Sequence, residues 1–136
     1  MRSVKLSQTS ITQEVLIPAT PVRVFGALVD PVKHAEVTGS EATGTGKAGG
    51  KFTAWDGYIF GEYVKLEKGK EIVWRWTTTE WPKGYPASTV DIKLSAARGG
   101  TKLVMVHTDV PASQAESYRQ GWIDYYWDPL KKYFEK

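Results

Sequence analysis

The sequence predicts a two-layer α+β domain: a curved antiparallel sheet of six to seven strands, with two short helices and one long C-terminal helix on one face. Three observations predict it. Apolar residues alternate with period two through most of the chain, broken by Gly- and Asp-rich turn signals. Two cap-plus-proline pairs, Thr20-Pro21 and Asp30-Pro31, follow the first alternating segment. After Pro111 the apolar spacing changes to that of a helix. The 136 residues make one domain, residues 1–136, able to bury about two-thirds of the unfolded surface without disulfide staples. No internal repeat, linker or second domain is visible.

Ile11, Gln13, Val15 and Ile17 alternate with Thr12, Glu14 and Leu16, which predicts a strand over residues 10–17. Thr20 and Asp30 then cap two short helices, each with proline at its first position. The first helix carries Val24, Phe25 and Leu28 on one face; Gly26 within it costs about 1 kcal/mol relative to alanine, so that helix depends on packing. The two helices read as a V-shaped pair. Residues 39–50 are rich in Gly, Thr and Ala and read as a loop or a weak edge strand.

A meander follows. Residues 51–55 end at Asp56-Gly57, a two-residue hairpin signal. Residues 58–66 form the next strand, with Gly61 expected as a bulge. Further strands are expected at residues 71–79, 87–96 and 101–110, separated by Glu67-Lys68-Gly69-Lys70, Trp81-Pro82-Lys83-Gly84 and Ala97-Arg98-Gly99-Gly100. Ser113 and Glu116 have capping-box spacing, from which a helix of about 24 residues, roughly 36 Å, runs to the end. Tyr118, Trp122, Tyr126, Leu130 and Phe134 give it a broad apolar face, flanked by Tyr125 and Tyr133, and Pro129 is expected to kink its last two turns.

Composition removes several function classes. With no cysteine, disulfides, thiolate catalysis and cysteine-held metal are excluded. The hydrophobic fraction of 41% and charged fraction of 24% place the chain among ordinary globular proteins. No apolar run reaches the roughly 20 residues of a membrane span. The opening Met1-Arg2-Ser3-Val4-Lys5 leads into polar residues rather than a signal-peptide core, so a cytoplasmic location is expected. A net charge of +3, without a basic stripe interleaved with aromatics, argues against nucleic acid. Lys65, Lys68, Lys70, Lys131, Lys132 and Lys136 read as solvated surface.

Chemistry-bearing patterns are few. There is no Gly-x-Ser-x-Gly elbow. Gly44-Thr45-Gly46-Lys47 lacks both the spacing and the following helix of a phosphate loop. The two histidines and scattered carboxylates give no metal site, and no cofactor is expected. His34, on the second short helix, reads as a solvated or rim residue. His107 continues the inward alternation of Leu103 and Met105, and reads either as a ligand-facing donor or acid–base group or as a hydrogen-bonded core histidine. The outlying feature is the aromatic content of six Trp, seven Tyr and four Phe. Trp74 and Trp76 share a strand face with Ile72, opposite Trp122 and Tyr126 of the long helix. These rings either line a cavity or fill the core. Gly121 either opens space beside Trp122 or permits close backbone approach. The inward or outward direction of Tyr58 and Phe60 stays open.

Several stretches carry a family resemblance: Ala19-Thr20-Pro21-Val22-Arg23-Val24-Phe25, Gly49-Gly50-Lys51-Phe52, Gly57 through Gly61-Glu62-Tyr63-Val64-Lys65-Leu66, Lys70-Glu71-Ile72-Val73-Trp74-Arg75-Trp76, Trp81-Pro82-Lys83-Gly84, Thr101-Lys102-Leu103-Val104-Met105, Val110-Pro111 and Arg119-Gln120-Gly121-Trp122-Ile123-Asp124-Tyr125-Tyr126. On these the chain resembles the START-like (SRPBCC, birch-pollen-allergen-like) superfamily with its helix-grip fold. More closely it resembles the C-terminal domain of the activator of the 90-kilodalton heat-shock-protein ATPase. The resemblance implies that fold, a hydrophobic cavity and contact with a chaperone. In the eukaryotic co-chaperones a separate N-terminal domain carries most of the ATPase-stimulating contact; these residues hold no counterpart of it, so full activation is not expected of them.

The functional expectation is a non-enzymatic domain that binds an apolar or aromatic small molecule, or a lipid, between sheet and C-terminal helix. The candidate ligand-binding residues are Phe25, Trp74, Trp76, Met105, His107, Trp122 and Tyr126. The alternative is a stress-related protein that contacts a heat-shock ATPase through its surface. An enzyme using His107 and a neighbouring tyrosine is a third reading, and it requires an open cavity holding both groups. Fold alone does not separate them.

Overall fold

Period-two alternation becomes strand wherever it occurs. In a computed structural model, whose described residues are 7–135, β1 (Gln8–Ile17) leads into α1 (Pro21–Val29) and α2 (Pro31–Thr38). There follow β2 (Thr43–Gly44), β3 (Lys51–Ala54), β4 (Ile59–Glu67), β5 (Glu71–Thr78), β6 (Ser88–Ala97) and β7 (Gly100–Pro111). The C-terminal helical segment comprises α3 (Ala115–Trp122), a π-turn (Ile123–Trp127) and α4 (Asp128–Phe134). Met1 to Lys5 and Lys136 lie outside the described residues. Among the described residues no helix is long and apolar enough to cross a membrane.

The seven strands form one antiparallel sheet in the order β1-β7-β6-β5-β4-β3-β2. Every consecutive pair from β2 to β7 is a meander neighbour, and β1 closes onto β7 with Ile11 opposite His107 and Ile17 opposite Thr101. One face is apolar because alternate residues point to it: Ile72, Trp74, Trp76 and Thr78 on β5 are all buried, and Val73, Arg75 and Thr77 point away. Val24, Ala27 and Leu28 of α1 and Trp122, Tyr126 and Leu130 of the C-terminal segment cover that face. This is the expected helix-grip arrangement.

The residue chemistry sets the joints. Asp30 is both the C-cap of α1 and the N-cap of α2, its carboxylate accepting from Val32 N at 2.9 Å. Thr20 caps α1 through its main-chain carbonyl alone, which accepts from Val24 N at 3.0 Å. At four places the structure departs from the expectation. The irregularity of β4 lies at Val64, between the pairs Tyr63–Trp74 and Lys65–Val73, rather than at Gly61. Gly61 serves a different need, since a Cβ there would run into the Arg75 carbonyl of β5. The β3–β4 connection is a four-residue turn, because Ala54 pairs with Ile59 and leaves Trp55, Asp56, Gly57 and Tyr58 outside the ladder.

The Ser113–Glu116 capping box does not form. Ala112–Gln114 is a single 3-10 turn, and no side chain caps it or α3. Gln114 organises this corner instead: its amide donates to the Glu80 carbonyl at 2.7 Å and its side-chain oxygen accepts from the Tyr118 hydroxyl at 2.8 Å. Last, the helix is disturbed before Pro129 rather than after it. Proline cannot give an N–H to the Tyr125 carbonyl, and the turn preceding it widens to π geometry.

Candidate functional site

The space under the C-terminal segment is filled. Trp76 of β5 lies at its centre, with ring centroids 5.5 Å from Trp122, 4.8 Å from His107 and 5.3 Å from Tyr118. Trp122 in turn stacks on Trp127 at 5.3 Å with 15° between planes. The π-turn makes that stack, since it brings residues five apart onto one face. Trp127 Nε1 then donates to Gln13 Oε1 at 2.7 Å, and Gln13 Nε2 to the Arg119 carbonyl at 2.9 Å, which ties the segment to β1.

His107 is fully buried and fixed in one neutral tautomer. Trp122 Nε1–H, which can only donate, points to His107 Nδ1 at 3.1 Å. The Ser88 hydroxyl donates to the Trp76 carbonyl at 2.6 Å, so His107 Nε2–H donates to Ser88 Oγ at 2.8 Å. Both ring nitrogens are used, and burial pushes the imidazole down to about 3. This is the hydrogen-bonded core arrangement, with Ser88 and Trp122 as partners.

His34 is not a rim residue. It is buried, with Nδ1–H donating to the Leu28 carbonyl at 3.0 Å and Nε2 accepting from the Tyr126 hydroxyl at 3.0 Å. Burial lowers its basicity, the Leu28 bond opposing, and burial likewise pushes the Tyr126 phenol well up. Its solvated appearance in the sequence comes from the polar residues Lys33 and Glu36 around it. In three dimensions α2 turns this one position onto the C-terminal segment.

Open space lies beside the helix instead. A cleft of about 760 Å³ runs between the α3 and π-turn flank and the β3–β4 turn. Trp55, Tyr58 and Ile59 form one wall, and Ser117, Gly121, Asp124 and Tyr125 the other. Trp76, Trp122 and Tyr126 form its floor, and Glu80 and Tyr118 lie at one end. Of the seven candidate residues, the cleft therefore gathers Trp76, Trp122 and Tyr126. Met105 and His107 are sealed in the core, Phe25 is half-buried on α1, and Trp74 packs on Phe52 at 5.5 Å beside a crevice of about 10 Å³.

Gly121 opens space: a Cβ there would touch only Tyr125 Cδ2, at 3.7 Å. Tyr58 lines the cleft, whereas Phe60 points outward and is exposed. The polar end is a hydroxyl relay in which Thr78 Oγ1 donates to the Tyr118 hydroxyl at 2.7 Å while Tyr118 donates to Gln114. Burial pushes the Tyr58 phenol up, the neighbouring Thr78 hydroxyl opposing this and the Glu80 charge reinforcing it.

The wall residue Trp55 has a φ of 53°, followed by Asp56 at 57°. A bulky residue in the left-handed region costs about 1–2 kcal/mol. The turn is held by a reciprocal pair: Asp56 N donates to the Glu41 carbonyl at 3.0 Å and Glu41 N to Asp56 Oδ1 at 2.7 Å. In this geometry the Trp55 ring meets Tyr125 edge-on at 5.3 Å. Trp55, Glu80, Gln120 and Asp124 were not singled out by the sequence. Only the positive-φ demand of the Asp-Gly turn signalled that the preceding Trp could leave the strand.

The family model described as "Activator of Hsp90 ATPase homolog 1-like protein" matches residues 18–135. The chain belongs to this family. Among its relatives is the activator of 90 kDa heat shock protein ATPase homolog 1 of Homo sapiens, 31% identical over 131 residues, covering 96% of this chain and 38% of that protein. The Dictyostelium discoideum homolog is 30% identical over 116 residues, covering 85% and 30% respectively. The chain thus spans well under half the length of these relatives. Among solved structures, an HSP90 activator from Plasmodium falciparum superposes with a TM-score of 0.81 at 27% identity, over 94% of this chain and 96% of that one. The Aha1 dimer from Colwellia psychrerythraea shares the fold at 15% identity, with a TM-score of 0.78 over 93% of this chain and 96% of that chain.

Proposed function

We propose that this chain binds a 90-kilodalton heat-shock-protein ATPase through its surface, as a co-chaperone-like partner in the cytoplasm. The observation that carries the proposal is the end-to-end correspondence with the Plasmodium HSP90 activator: a chain of this extent, aligned over 96% of its length, is described by that activity. The relatives' names point to the same partner. Isothermal calorimetry of the chain with a purified 90-kilodalton heat-shock ATPase, with and without nucleotide, tests it. A saturable heat in at least one nucleotide state is expected. Its absence in all of them overturns the reading.

A second reading rests on the cleft. An apolar or aromatic small molecule fits a space of about 760 Å³, within the range of about 300–1,000 Å³ typical of ligand sites. The left-handed Trp55 on its wall supports it, because backbone strain concentrates at functional sites. Native mass spectrometry against a lipid and flavonoid library is the check; retention of no library member would end this reading and leave the chaperone proposal intact.

A further inference from the structure

The cleft's chemistry goes further than apolar. Besides its aromatic walls it presents two carboxylates, Glu80 and Asp124, and among the described residues no Lys, Arg or His lines it. This holds in a chain whose net charge is +3. Among the described residues neither carboxylate makes an ion pair. Asp124 accepts only a neutral amide bond, from Gln120 Nε2 at 3.0 Å. Arg119, next to the cleft in sequence, is turned to Glu116 at 3.5 Å. The cleft is therefore left with uncompensated negative charge and with the negative faces of indole and phenol rings.

We infer that the guest of this cleft is a small organic ammonium ion with an apolar or aromatic body. The inference rests on the second reading above, that the cleft admits a small molecule. Aromatic faces attract a cation held within about 6 Å, more strongly where water is excluded. An anion is repelled by Glu80 and Asp124, and a neutral hydrocarbon makes no use of them. Trp55 and Tyr125, edge to face across the cleft mouth, supply the rings nearest solvent, while Tyr58 and Tyr118 bring rings to the Glu80 end.

The test compares benzyltrimethylammonium with its uncharged isostere neopentylbenzene and with the anion phenylacetate, followed through the indole N–H resonances of the folded chain. The cation is expected to bind about tenfold more tightly than the neutral isostere, with the anion weakest. The double variant Glu80→Gln, Asp124→Asn, which keeps side-chain shape at two exposed positions, is expected to weaken that preference while holding the neutral probe unchanged. Gly121→Leu is expected to block all three. Equal binding of cation and neutral isostere, or a preference undiminished in the double variant, overturns the ammonium assignment and leaves the cleft reading standing. If no probe binds, both fall.

Discussion

His107 shows how a residue that looks reactive is made inert. A neutral imidazole needs one donor and one acceptor partner, and Ser88 and Trp122 supply them without leaving a lone pair for a substrate. The cost appears in acid. The folded chain does not protonate His107 until about pH 3, whereas the unfolded chain does so from its ordinary value of 6.5. Between those values the unfolded state binds the extra proton, so stability is full above 6.5 and falls by up to about 1.4 kcal/mol per pH unit below it. Urea midpoints measured at neutral pH and in mild acid should therefore drop more steeply in the natural chain than in His107→Gln. Equal slopes would contradict the assigned tautomer and its burial. His34 adds loss in the same direction, and its bond to Tyr126 explains why that phenol reads as floor rather than ligand.

At the scale of elements, the C-terminal segment departs most from a regular helix. The sequence spacing of Trp122, Tyr126 and Leu130 marks the buried stripe correctly. Trp127 has no place in a 3.6-residue pattern, because only the π-turn rotates it onto Trp122. A period can reveal a face but not a local change of period. The same segment carries Gly121, where an added methyl meets nothing closer than 3.7 Å. Gly121→Ala should raise stability by about 1 kcal/mol through helix propensity; a loss in thermal or urea melts would mean that the glycine is needed for packing. Gly61 is the opposite case. A methyl there meets the Arg75 main chain, which cannot move without breaking the β4–β5 ladder. Gly61→Ala should cost about 2–3 kcal/mol, read as a lower urea midpoint, and a neutral result would contradict the close approach of the two strands.

For the whole molecule, the sheet was legible because alternation and turn residues agree: Ile72, Trp74 and Trp76 alternate with Val73 and Arg75, and Gly69, Gly84 and Gly99 take positive φ between strands. The partition between filled core and open cleft was not legible. Trp74, Trp76, Met105 and His107 share one inward face, and nothing in their order says which of them the helix reaches. That is decided by where α3 crosses the sheet, fixed by distant bonds such as Trp127 to Gln13 and Gln114 to Glu80. The result is a rigid, interlocked centre with an aromatic cleft at one flank, on a domain whose family is named for a chaperone ATPase. The most direct measurement of the central proposal is a sedimentation-velocity titration of the labelled chain with a purified 90-kilodalton heat-shock ATPase in each nucleotide state. A saturable transfer of the label to the faster-sedimenting species, at concentrations matching the calorimetric affinity, is expected; a folded chain that sediments alone at every concentration and in every nucleotide state would contradict it.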